Sequence, residues 1–269
     1  MELLYAVILG VVQGVAEFLP ISSSGHLVIA EALLQASGGG PLPAIFHGLT
    51  MEIALHAGTL LSIVVIYFRD LLLLTRKPQR ILQIFLASIP VACTGFLLRD
   101  VLEPLFDSAL AAGCCLLVTA VMLRLSGKWR KQNLTEDEFV SLTTGRALLI
   151  GCFQAVAILP GISRSGMTIS TGLIAGISGE EAARFSFQLA LPAIGGATLL
   201  ELIRLLGQDA MGEISLQPLL AGAGVSFITG VIALRWLLAV LDRGQLHRFS
   251  PYCGGVGLAV ILWQVTSAF

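Results

Sequence analysis

Six long apolar runs are distributed along this 269-residue chain and constrain its fold more than any other feature. Several of them approach the ~20 residues that a helix needs to cross ~30 Å of hydrocarbon. Only 12% of the residues are charged, against about 25% in a typical soluble domain. The sequence therefore predicts an all-α, polytopic membrane protein with about six transmembrane helices. The runs are 53–68, 81–98, 109–123, 185–203, 216–240 and 254–265.

An internal repeat relates two segments of the chain. Residues 13–25 read QGVAEFLPISSSG and residues 154–166 read QAVAILPGISRSG, identical at seven of thirteen positions at a constant offset of 141. The identical positions include polar residues and glycine, which chance similarity between apolar segments does not explain. We therefore expect one membrane domain built from repeat one at 1–125, a cytoplasmic linker at 126–145 and repeat two at 146–269.

Lysine and arginine counts predict the orientation of each half. Segments 69–80 and 124–146 hold four and five of these residues, whereas 99–104 and 204–217 hold one each. Since cytoplasmic loops are enriched in positive charge, the first two segments are predicted to be cytoplasmic. Corresponding linkers of the two halves then lie on opposite sides of the membrane, so we expect two inverted-topology repeats, as in many transporters.

The same charge pattern requires residues 1–50 and 147–182 each to enter the membrane and return to the side they came from. Both segments contain Pro, Gly and Ser, with Pro20 in the first and Pro160 in the second, which is typical of broken helices. Non-helical backbone persists at membrane depth only where protein buries it or where it lines a wet cavity. We therefore expect two pairs of broken re-entrant helices that meet near the midplane and form a polar site.

The first break concentrates groups suited to acid–base and nucleophilic chemistry. Gln13 and Glu17 lie four residues apart and hence on one helix face. Residues 22–24 are all serine, and His26 follows, so a carboxylate, hydroxyl nucleophiles and an acid–base group lie close together in the chain. Ionisable groups inside a membrane are costly and indicate function. The structural alternative is that the serines cap a helix and that His26 lies at the membrane interface.

The second break combines glycine with a permanent positive charge. Residues 160–166 read PGISRSG. Backbone N–H groups beside glycines can approach an anion, and a following helix N-terminus adds a favourable dipole. Arg164 adds a planar, charged fork suited to phosphate oxygens. The segment therefore predicts a phosphate cradle, with the alternative that Arg164 only neutralises Glu17 in a structural ion pair.

Other polar residues carry weaker signals. Glu52 and His56 are four apart at the start of an apolar run, where they fit either the site or the membrane interface. Gln188 lies inside an apolar run and predicts a helix–helix contact. Residues 178–181 read SGEE, which is typical of a capping box at a helix N-terminus.

At the two breaks the chain closely resembles the undecaprenyl pyrophosphate phosphatase family, also called the bacitracin-resistance protein family. The resemblance rests on QGVAEFLPISSSGHL at 13–27 and LPGISRSG at 159–166, and the pattern of membrane segments extends it over essentially the whole chain. It implies hydrolysis of undecaprenyl pyrophosphate to undecaprenyl phosphate and inorganic phosphate, which recycles the lipid carrier of peptidoglycan synthesis and confers bacitracin resistance. It also implies a divalent cation, Mg²⁺ or Ca²⁺, and an active site that opens to the outer, periplasmic side of the bacterial plasma (inner) membrane.

The resemblance also implies roles for individual residues. Glu17 is expected to bind metal or act as a base, Ser23 is the preferred nucleophile, and His26 is expected to transfer a proton. Family members often carry a carboxylate at the position of Gln13, so Glu17 is expected to carry more of the metal-binding role. Arg164 completes the expected catalytic set. The expected substrate-binding residues are Gln13, Ser22, Ser24, Gly161, Ser163, Ser165, Gly166 and Thr168.

Two other functions deserve comparison with hydrolysis of this kind. A phosphatidic-acid type membrane phosphatase needs a histidine six residues after the arginine of a Ser-Arg motif, where this chain has Ser170. Transport of a lipid phosphate, with or without hydrolysis, is the stronger rival because inverted repeats with broken helices are typical of transporters. Direct attack by water, without a phosphoserine intermediate, also stays open. The net charge of −1 gives no indication of nucleic acid, so the expected partners are undecaprenyl pyrophosphate and membrane lipid, with a homodimer left open.

Overall fold

The computed structural model describes residues 2–36, 49–106, 108–133, 139–207 and 216–267. Within these ranges all regular structure is helical, which confirms the all-α prediction for that part of the chain. A 3₁₀ turn, Leu246–Phe249, precedes the last helix. The α-helices are α1 Glu2–Phe18, α2 Ser23–Ala36, α3 Leu49–Ile66, α4 Phe68–Leu74, α5 Pro78–Leu97, α6 Arg99–Phe106, α7 Ala109–Asn133, α8 Thr144–Val156, α9 Arg164–Ile174, α10 Gly179–Gly207, α11 Leu216–Asp242 and α12 Ser250–Ser267.

Four of the described spans are long and apolar enough to cross a membrane: α5, Ala109–Gly127 of α7, α11, and Leu246–Thr266 around α12. A fifth is the pair formed by α3 and α4, which bend by 79° at Tyr67. Large apolar side chains such as Phe85 and Phe96 are exposed on the outer surface, as expected where lipid replaces water. The protein is therefore a multi-span membrane protein, and its described residues provide four or five spans where the sequence predicted about six.

Helix α10 is buried in its first half, whereas Leu199 and Leu200 in its second half are exposed. Phe185 in its first half is fully buried. Ser178 Oγ accepts a hydrogen bond from the backbone N–H of Glu181 at 3.3 Å, which confirms the serine half of the predicted capping box, while the Glu181 carboxylate pairs with Arg80. Arg80 Nε donates to Gln188 Oε1 at 2.7 Å, so Gln188 joins α5 to α10, which confirms the predicted helix–helix contact.

Helices from the two halves of the chain are interleaved. The first helix, α1, packs against α11, and α8 packs against α5. In the same way α3 packs against α11, α10 packs against α5, and α7 pairs with α12. Small residues permit the closest of these contacts, since a Cβ on Gly14 of α1 would collide with the Thr229 hydroxyl of α11. Each half therefore depends on the other to bury its helices.

The repeat boundaries stay a prediction. Helix α7 extends through Asn133, into the segment expected as a linker, and residues 134–138 lie outside the described ranges. Helix α8 begins at Thr144, where the Thr143 side chain accepts a hydrogen bond from the backbone N–H of Arg146.

Two breaks interrupt the helices at the predicted motifs. The first lies between α1 and α2 and the second between α8 and α9. Each contains a proline, which cannot donate a backbone hydrogen bond, and each contains a residue in the left-handed region, Ser22 with φ +71° and Gly161 with φ +93°. The breaks touch each other, because a Cβ on Gly25 would lie 2.6 Å from the Cα of Gly161. The expected contact between the two breaks is therefore present.

Candidate active site

The carboxylate of the site comes from α1. Gln13 and Glu17, one helical turn apart, are 1% and 8% exposed. Gln13 Nε2 donates a hydrogen bond to Glu17 Oε2 at 3.1 Å. The i, i+4 spacing therefore orients the carboxylate with an amide from its own helix.

The first break brings serine hydroxyls to this carboxylate. Ser22 Oγ accepts a hydrogen bond from the backbone N–H of Gly25 at 3.3 Å, as a capping residue does. Ser23 Oγ instead donates to Glu17 Oε2 at 2.7 Å. The capping alternative raised by the sequence thus applies to Ser22, while Ser23 has the contact expected between a hydroxyl and a base.

Helix α7 and the first break hold the second break in place. Thr119 of α7 accepts a hydrogen bond from the Ser163 N–H at 3.0 Å and donates one to the Gly161 carbonyl at 2.9 Å. The Gly161 N–H donates to Ser22 Oγ at 3.1 Å, which joins the two breaks directly. Ser163 caps α9 by accepting a hydrogen bond from the Gly166 N–H at 3.1 Å. The turn that precedes Arg164, the first residue of α9, is therefore held by hydrogen bonds to both α7 and the first break.

Arg164 and Glu17 form an ion pair between the two breaks. Arg164 Nη2 lies 3.1 Å from Glu17 Oε1, and Nη1 makes a long hydrogen bond, 3.4 Å, to the Ser186 carbonyl. Two buried atoms here have no hydrogen-bond partner within the described ranges: Nε of Arg164, a donor, and Oε1 of Gln13, an acceptor. The ion pair that the sequence left as a structural alternative is present, yet it leaves a donor and an acceptor unsatisfied at the site.

A cavity of about 140 Å³ lies beside the Glu17 carboxylate. Its wall combines charged and hydroxyl groups with apolar side chains such as Leu27 and Ile194, so it can accept a charged group that carries an apolar tail. The other lining residues are Gln13, Ala16, Glu17, Ser22, Ser23, Ser24, Glu52, His56, Ala157, Ile162, Ser163 and Arg164.

Seven of the residues predicted from sequence line this cavity, and five do not. Those that line it are Gln13, Glu17, Ser22, Ser23, Ser24, Ser163 and Arg164. Those outside the lining are His26, Gly161, Ser165, Gly166 and Thr168.

Of the five residues outside the lining, Gly161, Gly166, Ser165 and Thr168 make hydrogen bonds around the second break. The backbone N–H groups of Gly161 and Gly166 donate to serine hydroxyls, as described above. The Ser165 hydroxyl lies 3.2 Å from the Ser163 hydroxyl and donates to a backbone carbonyl. The Thr168 hydroxyl lies 2.6 Å from the Ser186 hydroxyl of α10. These groups hold the second break and α9 together, and their predicted contacts with substrate stay predictions.

His26 points away from the cavity. Its Nδ1 lies 2.7 Å from the Ser22 carbonyl oxygen, and its Nε2 lies 2.8 Å from the Tyr252 hydroxyl of α12. The two rings are nearly parallel, with 3° between their planes. Both ring nitrogens therefore have partners other than the cavity.

His56 and Glu52, which the sequence left undecided, both line the cavity. His56 Nδ1 donates to the Glu52 carbonyl oxygen at 2.9 Å, and Nε2 lies 3.9 Å from Glu17 Oε2. Their i, i+4 spacing was the available signal. Thr119 and Tyr252 were not identified from the sequence, because a single hydroxyl in an apolar helix has no local pattern that predicts its partner.

Oxygen atoms at the site are of the kind that a hard divalent cation prefers. Within the described ranges no three His, Cys, Asp or Glu residues group together as a ligand set. Gln13 Oε1 nevertheless provides a buried oxygen without a partner next to the Glu17 carboxylate, and Glu52 adds a second carboxylate to the wall. Mg²⁺ is commonly held by one or two carboxylates together with water and phosphate oxygens. The residues present therefore fit such an ion.

Known proteins match this chain over nearly its full length. A family model described as Bacitracin resistance protein BacA matches residues 6–259. An undecaprenyl-diphosphatase of Rhodopirellula baltica is 43% identical over 262 residues, covering 97% of this chain and 98% of that protein. An undecaprenyl-diphosphatase of Korarchaeum cryptofilum is 39% identical, covering 97% and 99%. A third, from Bacteroides thetaiotaomicron, is 34% identical, covering 98% and 100%.

Proposed function

The chain belongs to the bacitracin resistance protein BacA family, and we propose that it hydrolyses undecaprenyl pyrophosphate to undecaprenyl phosphate and inorganic phosphate. Three relatives of nearly equal length carry the name undecaprenyl-diphosphatase. The reaction recycles the lipid carrier of peptidoglycan synthesis and underlies resistance to bacitracin.

The observation that carries this proposal is the position of Ser23 and Arg164 on the two oxygens of one carboxylate. Ser23 Oγ donates to Glu17 Oε2 at 2.7 Å, and Arg164 lies 3.1 Å from Oε1. A hydroxyl bonded to a base is set to lose its proton, and a guanidinium beside it can hold phosphate oxygens. A carrier that only moves its ligand needs no such pair.

In the mechanism we favour, Ser23 Oγ attacks the terminal phosphorus of the pyrophosphate while Glu17 accepts the serine proton. The new bond is Ser23 Oγ–P, and the bond that breaks joins this phosphorus to the bridging oxygen, which leaves on undecaprenyl phosphate. Water then hydrolyses the phosphoserine, restores the Ser23 hydroxyl and releases inorganic phosphate. In the alternative, Glu17 deprotonates a water molecule that attacks the phosphorus directly.

Arg164 is proposed to bind the pyrophosphate when substrate displaces part of its ion pair with Glu17. Its Nε has no partner within the described residues and is available to a phosphate oxygen. Charge that develops on the equatorial oxygens is then stabilised by a donor already in place. The apolar part of the wall, Leu27 and Ile194, is proposed to contact the first units of the lipid tail.

A divalent cation, Mg²⁺ or Ca²⁺, is proposed as the cofactor. Gln13 Oε1, Glu17 and Glu52 would hold it. When bound, it would supply positive charge that neutralises the pyrophosphate oxygens.

The membrane arrangement is proposed to follow the predicted topology. We propose that the two halves are inverted repeats whose breaks meet at the site, and that the site opens to the outer face of the plasma (inner) membrane. The exchange of helices between the halves supports this arrangement, because α1 with α11 and α8 with α5 are equivalent pairs under inversion. The homodimer stays a prediction.

The proposal is tested by measuring inorganic phosphate release from undecaprenyl pyrophosphate by the purified protein in detergent. Release is measured with EDTA and after addition of Mg²⁺ or Ca²⁺. Glu17→Gln is compared with wild type, because it removes the charge and keeps the shape. Glu180→Gln is the matched control, since Glu180 pairs with Arg184 at an exposed position outside the cavity.

Cation-dependent release that Glu17→Gln abolishes and Glu180→Gln preserves is the expected result. Folded wild-type protein that releases no phosphate with any of these cations would overturn the phosphatase proposal. Transport of a lipid phosphate would then become the leading function.

A further inference from the structure

His26 is the one residue of the expected catalytic set that lies outside the cavity wall. The other three line the cavity, and Ser23 and Arg164 each contact Glu17. The contacts of His26 instead lead away from the cavity, to the Ser22 carbonyl on one side and to Tyr252 on the other. This geometry requires a different explanation of what the imidazole does.

Ser22 adopts a backbone conformation that needs outside support. Its φ of +71° makes it the only non-glycine residue with positive φ in the part of the chain described. Left-handed backbone is disfavoured for residues with a Cβ. Ser22 must nevertheless hold it, because Ser22 Oγ accepts the Gly161 N–H and the next residue is the proposed nucleophile, Ser23.

The hydrogen bonds define the protonation of the imidazole. A carbonyl oxygen only accepts, so His26 Nδ1 donates its hydrogen to Ser22. In the neutral ring Nε2 is then the acceptor, and the Tyr252 hydroxyl donates to it at 2.8 Å. The Ser22 carbonyl therefore selects the tautomer with hydrogen on Nδ1, and the Tyr252 hydroxyl holds the ring from its other side.

The first turn of α12, which carries Tyr252, is anchored to the same region. Cys253 Sγ donates to the Pro20 carbonyl at 3.4 Å, and Cys253 is fully buried. Ser250 Oγ donates to the Ala120 carbonyl of α7 at 2.8 Å. The tyrosine hydroxyl is thus presented from a fixed support.

We propose that Tyr252 is a positioning residue for hydrolysis, and that it acts through His26 on the left-handed turn at Ser22. The chain of contacts runs from the Tyr252 hydroxyl through the imidazole to the Ser22 carbonyl, and the turn then sets the direction of the Ser23 hydroxyl toward Glu17. This inference rests on the proposed function, and it assigns His26 to holding the turn in place of the proton transfer expected from the resemblance.

Four variants test the proposal: Tyr252→Phe, His26→Asn, the double variant, and Tyr67→Phe as the matched control. Tyr67→Phe also removes one tyrosine hydroxyl, which is buried and has no hydrogen-bond partner within the described residues. His26→Asn keeps a donor close to the position of Nδ1 and loses the contact with Tyr252. Steady-state kinetics of phosphate release give kcat and KM for each variant.

Tyr252→Phe is expected to lower kcat about threefold to tenfold, the range that one hydrogen bond supports, with little change in KM. KM is expected to hold because Arg164, the proposed phosphate-binding residue, keeps its contacts with Glu17 and Ser186. His26→Asn is expected to show a loss of similar size, and adding Tyr252→Phe to it is expected to cost nothing further. Tyr67→Phe is expected to match wild type.

Three outcomes would overturn the proposal. The first is an unchanged kcat in Tyr252→Phe, and the second is multiplication of the two losses in the double variant. The third is loss of nearly all activity in His26→Asn, as expected if His26 were an obligatory proton carrier.

Hydrogen–deuterium exchange separates this inference from the proposed function. Peptides that cover 19–27 and 158–163 are expected to exchange faster in Tyr252→Phe than in wild type. In Tyr67→Phe their exchange is expected to match that of wild type. If wild type releases no phosphate but Tyr252→Phe still exchanges faster than wild type, then Tyr252 supports the turn and the proposal of hydrolysis is rejected. Unchanged exchange would reject the support of the turn whether or not hydrolysis is observed.

Discussion

The two breaks share a serine cap but differ in backbone and in chemistry, since Ser22 is left-handed with φ +71° whereas Ser163 has φ −73°. In each, a serine at the same repeat position caps the following helix: Ser22 accepts the Gly25 N–H, and Ser163 accepts the Gly166 N–H. At an offset of 141, however, the position of Glu17 is occupied by Ile158 in the second break. The position of the proposed nucleophile, Ser23, is likewise occupied by Arg164.

This difference indicates that neither break is a site by itself. The first supplies the proposed base and nucleophile, and the second supplies the guanidinium that is proposed to bind phosphate oxygens. The Ser22 hydroxyl and the Gly161 N–H hold them together at 3.1 Å. The two motifs are identical at seven of thirteen positions, and the two differences named above make their side chains complementary.

The largest expected effect comes from removing the guanidinium group of Arg164 in the second break. Arg164→Ala should lower kcat by about 10³-fold or more, as loss of a transition-state arginine does. Arg164→Lys should retain part of the activity, because it keeps the charge without the bidentate fork. Phosphate release measures both.

A purely structural role for Arg164 predicts a different pattern. If it only neutralises Glu17, then adding Glu17→Gln should restore the thermal stability that Arg164→Ala loses, because no buried charge is left unpaired, although the double variant stays inactive without the Glu17 carboxylate. Near-normal release by Arg164→Ala alone would also reject its role in binding phosphate.

The next effect concerns Ser23, which occupies in the first break the position that Arg164 occupies in the second. Ser23→Ala should lower kcat by about 10²–10⁴-fold, in the range for loss of a coupled proton transfer. Acid quench of a single turnover with substrate labelled in the terminal phosphate should trap labelled phosphoserine in wild type only. Activity in Ser23→Ala within a few-fold of wild type would favour direct attack by water. If the wild-type protein moves the lipid across the membrane but releases no phosphate, a transporter is favoured instead.

A smaller effect distinguishes the glycines that follow the two caps. In Gly25→Ala the new methyl group would lie 2.6 Å from the Gly161 Cα, which is backbone and cannot rotate away. In Gly166→Ala the nearest atom is the Ser163 Cβ at 3.0 Å, and the Pro20 Cβ follows at 3.3 Å. We expect Gly25→Ala to lose about 1–3 kcal/mol of stability and most activity, and Gly166→Ala to lose less of both.

Thermal unfolding in detergent and phosphate release would measure this pair. Equal losses in the two variants would show that the contact between the breaks is looser than the structure indicates.

The smallest effect compares the glutamines that open the two motifs. Gln13 donates to Glu17, whereas both side-chain polar atoms of Gln154 are buried without a partner in the part of the chain described. The residue one turn after Gln154 is Ile158, which offers no acceptor. Gln154→Leu should therefore keep activity and raise stability by about 1 kcal/mol, while Gln13→Leu should lose activity. A large loss of activity in Gln154→Leu would show that its amide has a ligand.

Much of the site followed from sequence because its parts lie in short motifs. The i, i+4 spacing placed Gln13 beside Glu17, and the repeat paired the two breaks before any contact was known. The contact of Ser23 with Glu17 could not be read from spacing, because the turn between them includes a left-handed residue.

The polar residues on longer helices were harder to assign. Glu52 and His56 carried an ambiguous signal, since a pair one turn apart at a helix start fits either a site or an interface. Thr119 is a single hydroxyl in an apolar helix, and its role depends on a contact 42 and 44 residues away in the chain.

The sequence by itself determined the membrane class, the helical fold, the two breaks and the family. These follow from composition, apolar run length and motifs, all of which are local along the chain. Only the tertiary structure decided which histidine reaches the cavity. Spacing places side chains on helix faces, whereas packing decides which neighbour each face meets. Helix α2 therefore presents His26 to Tyr252, while α3 brings His56 to 3.9 Å from the Glu17 carboxylate.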